Sequence, residues 1–237
     1  MSTHQFEVFP YSIANKRSEN QDVLWYGIYE TPISHEQGIL ALISDGMGGL
    51  DKGAVASQTV GNLFEDFFQN SRTLDDNTLV DLIQYAHEQV CSIGRAGATI
   101  SLLRACKGKY FIAHLGDSRV YRIPTQGSSA VQLTADHSAV AEALQKGIEL
   151  TPKLIQRYKG KITRGLGMPA TPNVDTYQGE YNSGDCFLLC SDGFWHNFDY
   201  NDSVLPELSQ SGIEEATARA VEAGETDNIS VLLIKAQ

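Results

Sequence analysis

Runs of apolar-rich residues of strand length, separated by polar and turn-forming residues, recur through most of this chain and predict strands over Phe6 to Ala14, Val23 to Tyr29, Ile39 to Ser44, Ala98 to Ala105 and Tyr110 to Leu115. The same pattern continues over Val120 to Ile123, Val131 to Leu133, Val174 to Glu180, Cys186 to Cys190 and Ile229 to Lys235. Most neighbouring runs are joined by short links, as antiparallel pairing requires. Two segments switch to helical spacing. Val60, Leu63, Phe64, Phe67 and Phe68 form one apolar stripe, and Leu79, Leu82, Ile83, Ala86 and Val90 form another, so each helix has one face to lay on a sheet. Shorter helical stretches are expected at Ser138 to Lys146, Lys153 to Tyr158 and Ile213 to Ala223, with Gly147 and Pro152 punctuating the first two. The expected fold class is α+β: two packed antiparallel β-sheets, a β-sandwich flanked by helices on both sides, rather than a doubly wound parallel sheet.

The 237 residues, 42% of them apolar, can build a sizeable core, and no Pro/Ser-rich linker divides them, so residues 1–237 are read as one domain. No basic stretch followed by an apolar one opens the chain, and no apolar run approaches the length of a membrane span, so a soluble, cytoplasmic protein is expected. The net charge of -11 disfavours nucleic acid and anionic membranes as partners, since both call for clustered Lys and Arg. Cys91, Cys106, Cys186 and Cys190 show no Cys-x-x-Cys spacing and are expected as buried free thiols, with Cys186 and Cys190 on one strand face.

The glycines of Gly46-Met47-Gly48-Gly49 complete neither a dinucleotide fingerprint, because Asp51 stands where the third glycine would be, nor a P-loop, because no Gly-Lys-Ser/Thr follows. A tight turn with positive backbone dihedrals accounts for them, but not for Asp45 beside them. Ser44-Asp45-Gly46 and Ser191-Asp192-Gly193 each follow an apolar run. Asp117 follows a third such run, Asp227-Asn228 precedes a fourth, and Asp22 opens a further strand. A single Asp-Gly is ordinarily a turn. Five carboxylates at strand ends are better explained as one metal site, because their mutual repulsion in a partly desolvated cleft would be severe without divalent cations. An oxygen-only ligand set favours Mg2+ or Mn2+ over Zn2+, and two such ions roughly 3.5 to 4 Å apart can share and activate a bridging water. Arg17 beside them suggests a phosphoryl electrophile, since a guanidinium fork matches two phosphate oxygens.

These residues resemble the metal-dependent Ser/Thr protein phosphatases of type 2C in their compact bacterial form. The matching motifs run in order: Arg17-x-x-Asn20-Gln21-Asp22, Ser44-Asp45-Gly46-Met47-Gly48-Gly49, Gly97-Ala98-Thr99, Gly116-Asp117-Ser118-Arg119, Thr134-x-Asp136-His137-Ser138, Thr163-Arg164-x-Leu166-Gly167, Ser191-Asp192-Gly193 and Asp227-Asn228. The resemblance implies a β-sandwich with a two-ion Mn2+ or Mg2+ centre and a possible third ion, hydrolysing phosphoserine and phosphothreonine in proteins by direct attack of a metal-bridging water or hydroxide. Carried over by position, Asp45 bridges both ions, the Gly46 carbonyl joins it, Asp192 and Asp227 complete one shell and Asp22 serves the other. Asp117 with Asp192 matches the third ion's site, Arg17 binds phosphate, and Asn228 supports the ligands from behind. The catalytic set is thus Asp45, Asp192 and Arg17. Residues 138–167 correspond to a flap beside the cleft. Met47 stands where many eukaryotic members have a histidine proposed as general acid, which leaves water or His137 to protonate the leaving group. The implied partners are phosphoproteins and a cognate bacterial Ser/Thr kinase, with the chain a monomer. The rival reading is a catalytically silent phosphoprotein-binding or regulatory module of the same fold.

Overall fold

A computed structural model describes residues 6–32, 34–47, 52–71, 74–125, 129–197, 205 and 207–237, so Gly48, Gly49 and Asp51 of the glycine-rich motif lie outside the described residues. Strands β1 (Phe6–Ile13), β2 (Asp22–Glu30), β3 (Gln37–Asp45), β4 (Ile100–Cys106) and β5 (Lys109–Leu115) are followed by β6 (Arg119–Ile123), β7 (Val131–Gln132), β8 (Asp175–Glu180), β9 (Cys186–Cys190) and β10 (Ile229–Ala236). The helices are α1 (Gly53–Asn70), α2 (Asp76–Ile93), α3 (Ala139–Gln145), α4 (Pro152–Tyr158), α5 (Asp192–Trp195) and α6 (Gln210–Glu222). One sheet has the order β1-β10-β9-β6-β7 and the other β2-β3-β4-β5-β8, and every paired strand is antiparallel.

The two-residue period sorts the core into layers. Ile39, Ala41 and Ile43 of β3 face Leu232 and Ile234 of β10 and Phe187 and Leu189 of β9 between the sheets, while Leu40 and Leu42 point the other way, onto Val60 and Phe64 of α1 and Ile83 of α2. On the opposite outer face, Leu188, Val231 and Leu233 pack against Ile213, Ala216 and Ala220 of α6. Helices therefore cover both sides of the sandwich.

Three details differ from the sequence expectation. Pro152 begins α4 instead of breaking it: it stands in the first turn, where its missing N–H costs nothing, and the Thr151 hydroxyl caps the Leu154 amide. The four-residue α5 was not signalled, being too short to show a period. The four cysteines are free thiols, but Cys91 is exposed and Cys106 half-buried; only Cys186 and Cys190 are buried, at the two ends of β9 in the α6-facing layer. The flap segment packs thinly, with Ala143 the one buried residue of α3 and none in α4. Among the described residues no helix is long and apolar enough to cross a membrane.

Candidate metal and phosphate site

At one end of the sandwich β2 begins and β3 ends, and the antiparallel register sets Asp22 directly across from Asp45. The end of β3 is fastened by Thr99: its hydroxyl accepts from the Asp45 amide at 2.9 Å, and its own amide donates to the Asp45 carbonyl at 2.8 Å. The same hydroxyl lies 2.8 Å from that of Ser118, which ties Asp45 to the turn carrying Asp117. From the other sheet, β9 delivers Asp192 at the start of α5, and β10 begins just after Asp227.

Asp45, Gly46, Asp117, Asp192, Asp227 and Arg17 all line one cleft of about 840 Å3. Asp22 does not line it; it is buried across the strand pair from Asp45 and borders a second cavity together with Ser12, Trp25 and Gln58. Asn228 is buried too and works as a brace: its side-chain oxygen accepts from the Gln21 amide at 2.9 Å, and its side-chain amide donates to the carbonyls of Ala14 at 3.0 Å and Glu19 at 2.9 Å. That brace closes the loop bearing Arg17. Asn15, which the sequence reading passed over, donates to the carbonyls of Glu225 and Asp227 and holds the second loop against the first.

The electrostatics are those of crowded anions. Burial pushes the Asp22 carboxyl up to about 6; the nearby hydroxyls of Ser230 and Ser191 pull it back without closing a hydrogen bond, and the Asp192 charge adds to the rise. Neither oxygen of this buried carboxylate accepts a hydrogen bond from the described residues. Asp45 is held well above the usual carboxylate range, first by loss of water, then by the charges of Asp22, Asp192, Asp117 and Asp227. Burial, then Asp192 and Asp136, lifts Asp117 to about 8, and burial raises Asp192. An ionised carboxylate buried without a partner is costly, so this arrangement calls for compensating positive charge.

Among the described residues no three His, Cys, Asp or Glu side chains meet at ligand spacing around one point. The carboxylates that line the cleft do not close into a shell, in keeping with their mutual repulsion, although Arg17, Arg95 and Lys161 line the same cleft. Arg17 donates to Asp227 at 2.7 Å, with about half of its side chain in solvent at the rim. All the ligand candidates are oxygens, and two buried oxygens of Asp22 lack partners, so the residues fit a hard divalent cation.

The glycine after each acid has a packing reason. A Cβ on Gly46 would stand 2.4 Å from the Gly53 carbonyl oxygen, and one on Gly193 would stand 2.1 Å from that of Asn228. Neither glycine has a positive φ, so close backbone approach, and not the turn dihedral expected of Gly46, selects it.

His137 lies outside the cleft. Its side chain is 1% exposed, its Nδ1 accepts from the Gly116 amide at 3.1 Å, and its Nε2 lies 2.9 Å from Asp175, which is also held by Arg164. It braces the turn before Asp117 and cannot reach a substrate. Met47 does line the cleft, as do Arg95, Lys161 and Met168, which the sequence reading did not single out. Arg95 follows Gly94 at the end of α2 with φ of 46°, and that helix-ending glycine was the only local signal for it.

The protein phosphatase 2C family model matches residues 14–223, which takes in Asp22, Asp45, Asp117 and Asp192 and stops just before Asp227. A serine/threonine phosphatase, stp, from Listeria welshimeri is 30% identical over 220 residues, covering 83% of this chain and 84% of that protein. Protein phosphatase PhpP of Streptococcus pneumoniae is 27% identical over 238 residues, 94% of each chain. Among solved structures, serine/threonine phosphatase Stp1 from Staphylococcus aureus superposes with a TM-score of 0.85 at 23% identity, covering 98% of this chain and 96% of that one. The catalytic domain of the serine threonine protein phosphatase PstP, in complex with 2 manganese ions, superposes with a TM-score of 0.77 at 22% identity, covering 98% of each chain. These last two likenesses concern the fold.

Proposed function

The chain belongs to the protein phosphatase 2C family and is a serine/threonine protein phosphatase, and from that premise we propose that the acidic cleft is its active site. The observation that carries this reading is the buried, partnerless Asp22 carboxylate facing Asp45 across the strand pair. Family members are metal-dependent, and the two manganese ions of the PstP domain support a pair of Mn2+ or Mg2+ ions here, with room for a third. Asp22, Asp45, the Gly46 carbonyl, Asp192 and Asp227 would hold the pair, and Asp117 with Asp192 the third. Bound there, the ions would supply the Lewis acidity that makes water a nucleophile near neutral pH and would offset the charge of the phosphate.

The chain's own residues bind and orient. Arg17, at the rim and half in solvent, offers its fork to two phosphate oxygens while its contact with Asp227 fixes it relative to the acids. Asn228 and Asn15 hold the two loops that bring Arg17 and Asp227 together. Thr99 and Ser118 set Asp45 against the Asp117 turn. Neither Met47, which has no proton to give, nor the sealed His137 serves the leaving group.

Both sheets feed one inter-sheet core, which supports reading residues 1–237 as one domain, with residues 138–167 as a flap over the cleft. Phosphoprotein substrates follow from the family. We read the protein as a monomer opposing a Ser/Thr kinase in a bacterial cytoplasm; the net charge of -11 supports the absence of nucleic acid among its partners. Incubation with phosphoserine and phosphothreonine peptides tests the reading. Phosphate release with Mn2+ or Mg2+ that stops on chelation is expected, and inertness with both ions would overturn it.

A further inference from the structure

Asp117 and Asp192 reach the cleft on separate pieces of backbone, one in the turn between β5 and β6, the other at the head of α5. The helix alone gives Asp192 little support. It has four residues, and the hydroxyl of its N-cap, Ser191, is engaged elsewhere, accepting from the Ser230 amide at 3.0 Å.

Trp195 joins the two pieces. It stands three positions past Asp192 in α5, and its indole Nε1–H donates to the Asp117 carbonyl at 2.8 Å. Its ring also lies against the Arg119 guanidinium, whose Cζ is 3.4 Å from the ring centroid. Arg119 is itself fixed: Nε and Nη2 bond the two Asp136 oxygens at 2.8 and 2.6 Å, and Nη1 donates to the Tyr121 hydroxyl at 3.0 Å. The side chains of Arg119 and Asp136 are each 11% exposed, so this pair is shielded from the screening that weakens surface ion pairs. One indole thus grips the Asp117 turn at two points, the carbonyl of Asp117 and the side chain of Arg119, from the helix that carries Asp192.

We infer that Trp195 is a positioning residue that sets the spacing of Asp117 and Asp192, and so the affinity of the cation those two carboxylates would share. The inference rests on the reading of the cleft as an ion site. A tryptophan that merely filled space would need neither the hydrogen bond nor the stacked, doubly anchored arginine.

Calorimetric titration of the whole protein with Mn2+, comparing wild type with Trp195→Phe, Trp195→Ala and Asp117→Asn, tests it. Asp117→Asn is expected to abolish the weakest binding event. Trp195→Phe keeps a ring over Arg119 but loses the N–H, and is expected to weaken that same event by about tenfold while sparing the tighter ones; Trp195→Ala should weaken it at least as much. Wild-type affinity for the weakest ion in both tryptophan variants, whatever their melting temperatures, would overturn the inference, as would equal weakening of every event. If Trp195→Ala does not fold, Trp195→Phe decides. If Asp117→Asn alters no binding event, the reading of the cleft falls, and this inference with it.

Discussion

Arg17 and Asp227, 210 positions apart, meet through a 2.7 Å contact between guanidinium and carboxylate at the rim of the cleft. The proposed phosphate anchor is therefore held by one of the proposed ion ligands. Arg17→Ala should lower kcat/KM for a phosphopeptide by about ten- to a hundredfold, because a charge-assisted fork is lost. Arg17→Lys should fall between, since an ammonium keeps the charge without the planar pair of donors. Steady-state kinetics at saturating Mn2+ checks this, and a lysine variant equal to wild type would show that the fork is not used.

Asp45→Asn and Asp192→Asn should each cut turnover by more than about a hundredfold, the upper end of what even the outer partners of metal ligands cost. Each exchange preserves shape and removes a repelling charge, so the metal-free variants should melt no lower than metal-free wild type. Turnover assays and thermal melts in chelator measure the two effects separately. Variants that lose stability along with activity would mean the carboxylates serve packing instead.

Without divalent ions, stability should fall as pH rises from about 6.5 to about 8. Asp117 keeps its proton in the folded protein up to about 8, against 3.8 for the free carboxyl, so over that window the native state binds more protons than the unfolded chain. The contribution of Asp22 falls away earlier, at about 6. Below 6.5 the buried His114, pushed down to about 3 mainly by burial, works in the opposite sense, because only the unfolded chain gains its proton. Urea denaturation in chelator across this range tests the slope. Asp117→Asn should flatten it, and stability that rises with pH through the window would contradict the assignment.

Gly193→Ala and Gly46→Ala would each set a Cβ against a backbone carbonyl oxygen, 2.1 Å away in the first case and 2.4 Å in the second. The expected cost is about 1–3 kcal/mol, or a fall in melting temperature of roughly 2–10 °C. Gly193→Ala should also weaken ion binding, since it pushes α5 away from β10. Unchanged melting curves would show that the backbone can shift to make room.

What could be read along the chain was what repeats locally. Apolar-rich runs marked the ten strands found among the described residues to within a residue or two at each end, and the apolar stripes marked α1 and α2, because side-chain direction in a strand or helix follows from position alone. The recurrence of Ser-Asp-Gly at strand ends likewise marked Asp45 and Asp192. Distance along the chain says nothing about pairing, however. Only the folded protein decides that β1 lies beside β10, that Asp22 is buried across from Asp45, that His137 is spent bracing Gly116, and that a tryptophan in a four-residue helix grips the Asp117 turn. Those relations depend on which distant segments bury one another, and burial, unlike periodicity, belongs to the assembled structure.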